Sequence, residues 1–132
     1  KVLENVSTLK TIISQIREVL PEESIGYSRR FRVTQKMKVA TIPIGYADGI
    51  RRAWGNEKGF VTINNQKATI LGSICMDMMM VDVTNISCKT GDEVIVFGKN
   101  PNVTEMANVI GTIPYEILTG ISQRVKRIFY KN

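Results

Sequence analysis

The sequence contains no histidine, and this absence limits the chemistry that its side chains can perform. None of the 132 residues offers an imidazole for general base catalysis or for metal coordination. Proton transfer would need a tyrosine, a lysine, a carboxylate or a thiol instead. The two cysteines, Cys75 and Cys88, have no cysteine or histidine partner at zinc-finger spacing. We therefore expect no metal site.

Long apolar runs and a signal-like start are missing as well. No stretch approaches the roughly 20 apolar residues that a membrane-spanning helix needs. Two cysteines are too few for a disulfide framework, so we expect reduced thiols. These features predict a soluble, cytoplasmic protein that does not contact a membrane. At 132 residues, we expect one domain with a core of its own.

The net charge of +6 comes from 18 basic and 12 acidic residues. The basic residues form three clusters: Arg29, Arg30 and Arg32; Arg51 and Arg52; and Arg124, Lys126 and Arg127. Such clusters fit a polyanion-binding surface, an acidic partner domain or a solvated face. Four Phe, four Tyr and one Trp provide few stacking platforms for bases. A basic β-barrel that binds RNA is therefore the weaker alternative, and we expect no nucleic-acid partner.

Short strand-like runs separated by turn residues dominate the middle of the chain. Strands are predicted over residues 37–44, 60–63, 67–71, 78–83 and 92–97, with a last strand over residues 125–130. Pro43 would confine the first of these strands to a sheet edge or a bulge. The pair Asn64-Asn65 tolerates positive φ and predicts a tight hairpin.

Two short helices are predicted near residues 103–120. Asn102 and Glu105 have the spacing of a capping box, and Gly111 is a natural stop for the first helix. Thr112 can cap the second helix, with Pro114 in its first turn. Residues 9–20 are ambiguous, but their apolar spacing favours a helix over a strand. The pattern as a whole predicts a mainly β domain, either a small barrel or a sandwich.

Two loops have the composition of ligand-binding loops. Residues 45–49 and 74–77 each combine a polar aromatic or thioether side chain with an acid between strand-like runs, and a glycine lies within or just before each loop. In the second loop, Met76 could offer its backbone N–H to a ligand, or it could belong to a methionine-rich core. Cys75 has no histidine to activate it and fits a buried hydrophobic position.

Two tyrosines outside these loops are candidates for chemistry. Tyr27 follows a glycine and precedes Arg29 and Arg30, and positive charge favours the phenolate form that exchanges protons. The alternative is a tyrosine at the rim of the core. Tyr115 falls in the first turn of the second predicted helix, where an anion is favoured. Its ring could equally pack beside Ile113 and Leu118.

Four short motifs carry more information together than singly. They are Ile25-Gly26-Tyr27, Pro43-Ile44-Gly45-Tyr46-Ala47-Asp48-Gly49, Gly72-Ser73-Ile74-Cys75-Met76-Asp77 and Ile113-Pro114-Tyr115-Glu116, followed by Ile121-Ser122 and Arg124-Val125. Their order and spacing resemble those of alanine racemases. The chain is similar to the C-terminal domain of that family over essentially all of its 132 residues.

The resemblance implies a larger enzyme than this chain. In alanine racemases a (β/α)₈ barrel that binds pyridoxal phosphate precedes the β domain, and two subunits pair head to tail. The family interconverts L- and D-alanine and so supplies D-alanine for the cell wall. We accordingly expect residues 1–8 to be a remnant of the interdomain linker. The Schiff-base lysine would lie in the absent barrel, and the isolated chain would be inactive.

The resemblance also assigns roles to particular residues. Tyr27 resembles the catalytic tyrosine, which exchanges a proton with the substrate Cα in the partner subunit's site. Met76 resembles the residue whose backbone N–H meets the substrate carboxylate, and Tyr115 resembles the tyrosine whose hydroxyl meets the cofactor phosphate. Tyr46 and Arg52 match residues that line the substrate entrance. Ser73 departs from an arginine that some members have there.

Two further points follow from the resemblance. Residues 9–20 are typically a strand in this domain, so we adopt a strand against the helical spacing. The parent protein could prefer another amino acid, such as serine, or carry a further fused enzyme.

Overall fold

In the computed structural model of this chain, the structure describes residues 8–21, 24–25, 31–32, 34–98 and 102–121. The described elements are nine strands and two helices: β1 Leu9–Ile12, β2 Gln15–Val19, β3 Ser24–Ile25, β4 Phe31–Arg32, β5 Met37–Ile42, β6 Phe60–Ile63, β7 Gln66–Leu71, β8 Met79–Asp82, β9 Glu93–Phe97, α1 Val103–Val109 and α2 Pro114–Gly120. Two single turns of 3₁₀-helix, Tyr46–Asp48 and Arg52–Trp54, follow β5.

Seven of the strands form one antiparallel sheet in the order β1-β9-β6-β7-β8-β5-β2. The two edge strands are neighbours in sequence. Between them, Ile13 N–H donates to the Asp92 carbonyl and Ser14 N–H donates to the Thr41 carbonyl, each at 3.0 Å. The two edges of the sheet therefore meet at this point, and the sheet curls into a half-barrel. The prediction of a mainly β domain with two short helices is confirmed.

The core fills the concave side of this half-barrel and extends under both helices. Its largest fully buried side chains are Trp54, Ile13, Ile42, Ile50, Ile63, Ile70, Ile74, Met79, Met106 and Ile117. The indole Nε1–H of Trp54 donates to the Met106 carbonyl at 2.9 Å, which joins α1 to the loops after β5. A smaller cluster of Val19, Val39 and Leu71 lies apart from the main core.

Residues 9–20 form the strands β1 and β2, so the helical interpretation of their spacing is wrong and the strand implied by the resemblance is confirmed. The helical stripe would bury the apolar residues Leu9, Ile12, Ile13, Ile16 and Leu20 on one face. In the structure Ile12 is 51% exposed and Leu20 is 54% exposed. Pairing with β9 and β5 decides which side chains face the core here, because tertiary contacts outweigh weak local periodicity.

The prediction that Pro43 places its strand at an edge or a bulge is also wrong. β5 lies inside the sheet between β8 and β2. The strand ends at Ile42, directly before the proline, and Ile44 N–H donates to the Ile42 carbonyl at 2.8 Å. Because Pro43 lies outside the ladder, its missing N–H removes no hydrogen bond between strands.

The predicted turn and cap signals are confirmed at two places and corrected at a third. Asn64 and Asn65 adopt φ of 50° and 64° between β6 and β7. At α1, Glu105 N–H donates to Asn102 Oδ1 at 2.8 Å, and Asn102 N–H donates to Glu105 Oε1 at 3.1 Å. The N-cap of α2 is Ile113 rather than Thr112. The strand predicted over residues 125–130 lies outside the described residues.

Within the described ranges, no helix has both the length and the apolar character needed to cross a membrane.

Candidate functional site

The two loops singled out by their composition lie against each other in the structure. The first loop lies within residues 43–50, which follow β5. The second loop lies within residues 72–78, which join β7 to β8. Tyr46 N–H donates to the Cys75 carbonyl at 3.0 Å, and Ala47 N–H donates to the Met76 carbonyl at 2.8 Å. The backbones of the two loops are thus hydrogen-bonded to each other at the start of the 3₁₀ turn Tyr46–Asp48.

Glycine at position 45 is required by this close approach. A Cβ on Gly45 would lie 2.7 Å from both the carbonyl carbon and the carbonyl oxygen of Met76. Backbone atoms on both sides leave no flexible group that could move aside. The first loop can therefore reach the second loop only with a glycine here.

The other end of the first loop is held against α2. Gly49 has a φ of 106°, and a Cβ there would lie 2.7 Å from the Cα of Ile121, just after the helix. Both the positive φ and the close contact favour glycine at this position. The first loop therefore spans the distance between the second loop and the end of α2.

A buried carboxylate lies at the centre of the first loop. Asp48 is only 6% exposed, and its Oδ2 accepts a hydrogen bond from the Gly45 N–H at 3.0 Å. Its own N–H donates to the Gly45 carbonyl at 3.0 Å. A buried carboxylate is stable only when hydrogen bonds replace its lost hydration, and the Gly45 N–H supplies one of them.

Several large side chains of the two loops remain exposed. Tyr46 is 41% exposed, Met76 is 51% exposed and Met78 is 36% exposed. The guanidinium carbon of Arg52 lies 5.4 Å from the centre of the Tyr46 ring, within the range of a cation–π contact. Tyr46, Arg52 and Met76, which the sequence analysis predicted as substrate contacts, are thus brought together on one surface.

The helix α2 is tied to this surface by Glu116. One carboxylate oxygen of Glu116 lies 3.8 Å from Arg51 Nη1, and the Thr112 hydroxyl donates to the same oxygen. Sequence reasoning missed this contact. The spacing of Thr112 and Glu116, four residues apart at a helix start, is the signal that could have indicated half of it.

The remaining predicted site residues are described only in part. Tyr115 occupies the second position of α2, and its side chain lies outside the described part of the structure. Tyr27, predicted as the catalytic residue, lies outside the described residues altogether. Both roles stay predictions.

The two cysteines lie in different surroundings. Cys75 is buried in the second loop, and its Sγ lies 3.9 Å from the Ser73 carbonyl oxygen. Burial raises the pKa of the Cys88 thiol above its ordinary value, an effect that Lys38 opposes and Asp92 reinforces. In the described part of the chain, no three His, Cys, Asp or Glu side chains are grouped so that they could hold a metal ion.

Comparison with known proteins places this arrangement in a family. The model of the alanine racemase C-terminal domain matches residues 6–129. Alanine racemase 1 of Clostridium acetobutylicum is 40% identical over 135 residues, covering 98% of this chain and 35% of the relative. The chain thus spans about a third of the length of the curated relatives that it matches.

Solved structures with this fold include two that carry small molecules. Alanine racemase of Clostridium difficile 630 in complex with cycloserine has a TM-score of 0.84 and 38% identity, covering 92% of this chain and 34% of that one. Alanine racemase from Bartonella henselae with covalently bound pyridoxal phosphate has a TM-score of 0.86 and 36% identity, covering 90% of this chain and 33% of that one. Sequence and fold agree, and the chain belongs to the family of alanine racemase C-terminal domains.

Proposed function

We propose that this chain is the C-terminal part of a pyridoxal phosphate-dependent racemase that interconverts L- and D-alanine and supplies D-alanine for the cell wall. Its relatives are named alanine racemases, and they are about three times as long as this chain. We propose that the rest of the parent protein includes the cofactor-binding barrel that precedes this domain in the family. The proposal rests on the surface that the two hydrogen-bonded loops form. There, beside exposed Tyr46 and Met76, lies a backbone N–H that donates no hydrogen bond within the described residues.

That backbone N–H belongs to Met76. The Cys75 carbonyl and the Met76 N–H share one planar trans peptide unit, so they point in opposite directions. Because the carbonyl accepts from Tyr46, the N–H is directed away from the first loop. Within the described part of the chain it donates no hydrogen bond. We assign it to the carboxylate of the substrate amino acid, since an N–H that meets a charged acceptor forms a strong hydrogen bond.

Tyr46 and Arg52 form the wall beside this N–H. The cation–π contact holds the aromatic ring and the guanidinium together while both stay partly exposed. A wall with positive charge attracts an amino acid by its carboxylate. Ser73 in the second loop offers a small neutral side chain where some members have an arginine, so the positive charge of this wall rests on Arg52.

Cofactor binding draws on a residue of α2 and on the barrel. The structure of the Bartonella henselae relative is described with covalently bound pyridoxal phosphate. When bound, this cofactor withdraws electrons from the substrate Cα, which makes the proton there removable. We assign the Tyr115 hydroxyl to the cofactor phosphate. The lysine that carries the cofactor is assigned to no lysine of this chain.

Tyr27 is assigned as the residue that gives a proton to, or takes it from, one face of the substrate Cα. A phenol near arginines can serve both directions of the transfer, because positive charge stabilises the phenolate. Racemisation needs a second base on the opposite face, and we place that base in the barrel. The site would be completed in a head-to-tail dimer, in which Tyr27 reaches the barrel of the second subunit.

The exposed apolar surface supports this assembly. Tyr46, Met76 and Met78 leave large side chains exposed on the two loops. A cluster of exposed apolar side chains near polar groups is typical of a surface that another protein covers. We propose that the second subunit covers it in the complete enzyme.

The full-length parent tests the proposal directly. Tyr27→Phe should reduce alanine racemisation on the order of 10²- to 10⁴-fold, because the proton-transfer group is lost. The absorbance of the bound cofactor should stay unchanged. Tyr130→Phe, the same change at a tyrosine with no assigned role, is the matched control. L-alanine and L-serine are assayed in parallel, and alanine should turn over faster. Near-normal turnover of the Tyr27 variant would refute its role.

A further inference from the structure

We infer that Asp48 is a positioning residue that orients the Met76 N–H toward the substrate carboxylate. The inference deepens the proposed function and rests on it. Asp48 lies inside the first loop and is nearly buried, so it acts through the backbone rather than by touching the substrate. The structure supports this role through three successive contacts. The first is made by the Asp48 residue with Gly45, and the other two join the backbones of the two loops.

The first contact fixes Gly45. The Asp48 carboxylate accepts from the Gly45 N–H at 3.0 Å, while the Asp48 N–H donates to the Gly45 carbonyl at 3.0 Å. Both peptide groups that flank the Gly45 Cα are thereby held by one residue. A glycine without such bonds would sample many backbone conformations, because it has no Cβ to restrict it.

The second and third contacts transmit this orientation to the second loop. Gly45 leads directly into Tyr46, whose N–H donates to the Cys75 carbonyl at 3.0 Å. That carbonyl shares its planar peptide unit with the Met76 N–H, so fixing one end fixes the other. On the far side of Met76, its carbonyl accepts from Ala47 at 2.8 Å. Loss of the Asp48 carboxylate would leave the Gly45 N–H without this acceptor and loosen both bonds, although the backbone bond from the residue-48 N–H to the Gly45 carbonyl would remain.

A second aspartate of the chain provides a matched control. Asp82 accepts from the Thr84 N–H at 2.9 Å, so it also holds a turn through a carboxylate and a backbone N–H. It ends β8, whereas the second loop precedes the start of that strand. Replacing it removes the same kind of hydrogen bond at the opposite end of the strand. A merely structural effect should therefore appear in both variants.

The experiment uses the full-length parent with Asp48→Ala, Asp48→Asn and Asp82→Ala. We expect Asp48→Ala to raise the KM for alanine about tenfold or more, the effect of a weakened hydrogen bond to a charged group. The kcat should change much less. Asp48→Asn keeps an oxygen acceptor, so its KM should stay close to that of the wild type. Asp82→Ala should leave the KM unchanged even where it lowers the melting temperature.

Hydrogen exchange measured by mass spectrometry supplies a readout that does not depend on activity. Peptides that cover residues 44–50 and 74–78 should exchange faster in Asp48→Ala and unchanged in Asp82→Ala. If Asp48→Ala does not fold, Asp48→Asn is compared with the wild type instead. We then expect a small rise in its KM and faster exchange in both peptides.

Three results would overturn the inference. They are an unchanged KM in a folded Asp48→Ala enzyme, a KM rise of equal size in Asp82→Ala, and faster exchange confined to residues 44–50. A wild-type parent without alanine racemase activity would instead refute the proposed function. The exchange measurement would then still test whether Asp48 holds the two loops together.

Discussion

The two ends of β7 carry turns of different kinds. At its start, the hairpin is closed by Asn64 and Asn65, whose positive φ angles are set by adjacent residues. At its far end, the second loop is held by Tyr46 and Ala47, nearly thirty positions earlier in the chain. The hairpin turn is thus set locally, whereas the second loop adds to its own bond, from the Cys75 N–H to the Met78 carbonyl at 2.9 Å, the contacts with a distant segment.

This difference follows from what each end must do. The hairpin needs only to reverse the chain, and the Asn64 side chain adds a bond of its Nδ2 to the Ser87 carbonyl at 2.7 Å. The paired loops must instead hold a free N–H and exposed side chains in a set orientation. Long-range contacts are better suited to this task, because each loop is then held in place by a segment that is distant in the sequence.

The largest effect should come from Gly45→Ala, which forces a methyl group into the backbone of the second loop. We expect it to lower the free energy of unfolding by about 3 kcal/mol, the upper end of the range for overpacking. Urea denaturation of this chain measures it. Gly120→Ala is the matched control, because a Cβ there meets nothing within 4 Å. Equal stability of the two variants would show that the loops separate without cost.

A smaller effect is expected at the hairpin. Asn65→Val places a β-branched residue at a φ of 64° and should lower the free energy of unfolding by about 1.5 kcal/mol. Asn65→Gly, which accepts this φ without strain, should stay within about 0.5 kcal/mol of the wild type. Thermal unfolding of both variants measures the difference. If Asn65→Val matched the wild type, the turn would not depend on its own residues.

The smallest effect concerns Cys88, at the hairpin end of the sheet. Burial raises its pKa, so the folded state favours the neutral thiol. The resulting stability is fully present below the ordinary pKa of the thiol and is lost as the pH rises through the raised value. Wild type and Cys88→Ser should therefore show the same pH dependence near neutral pH. Approaching about pH 10, the wild type should lose slightly more stability.

Denaturation curves at several pH values would measure this difference. The Ser variant is itself the control, because serine does not titrate in this range. A wild type that gained stability relative to Cys88→Ser as the pH rose would contradict the direction of the shift.

Local signals in the sequence predicted a large part of the fold. The asparagine pair, the capping box of Asn102 and Glu105, and most strand positions depend on neighbouring residues, so they can be recognised one segment at a time. Residues 9–20 were misleading because Ile12 and Leu20, which are exposed in the structure, happen to fit a helical stripe. Pro43 was misleading because the sequence does not show whether a strand ends before a proline or contains it.

The candidate site was predictable in composition but not in construction. Gly45, Asp48 and Met76 could be recognised as members of loops that resemble ligand-binding loops. That Asp48 is buried and holds the Gly45 backbone depends on the second loop lying against the first. The contact between Arg51 and Glu116 likewise joins segments more than sixty residues apart. No local pattern reports such a pairing.

The sequence alone therefore determined the mainly β class of the fold, the Asn64-Asn65 turn, the cap of α1 and the identity of the two loops. All of these follow from backbone preferences and side-chain bonds within a few residues. Tertiary structure alone decided that the edges of the sheet meet at Ile13 and Ser14, that Gly45 lies against Met76, and that the Met76 N–H faces away from the first loop. These features depend on which distant backbone groups contact each other. The packing of the whole half-barrel determines those contacts.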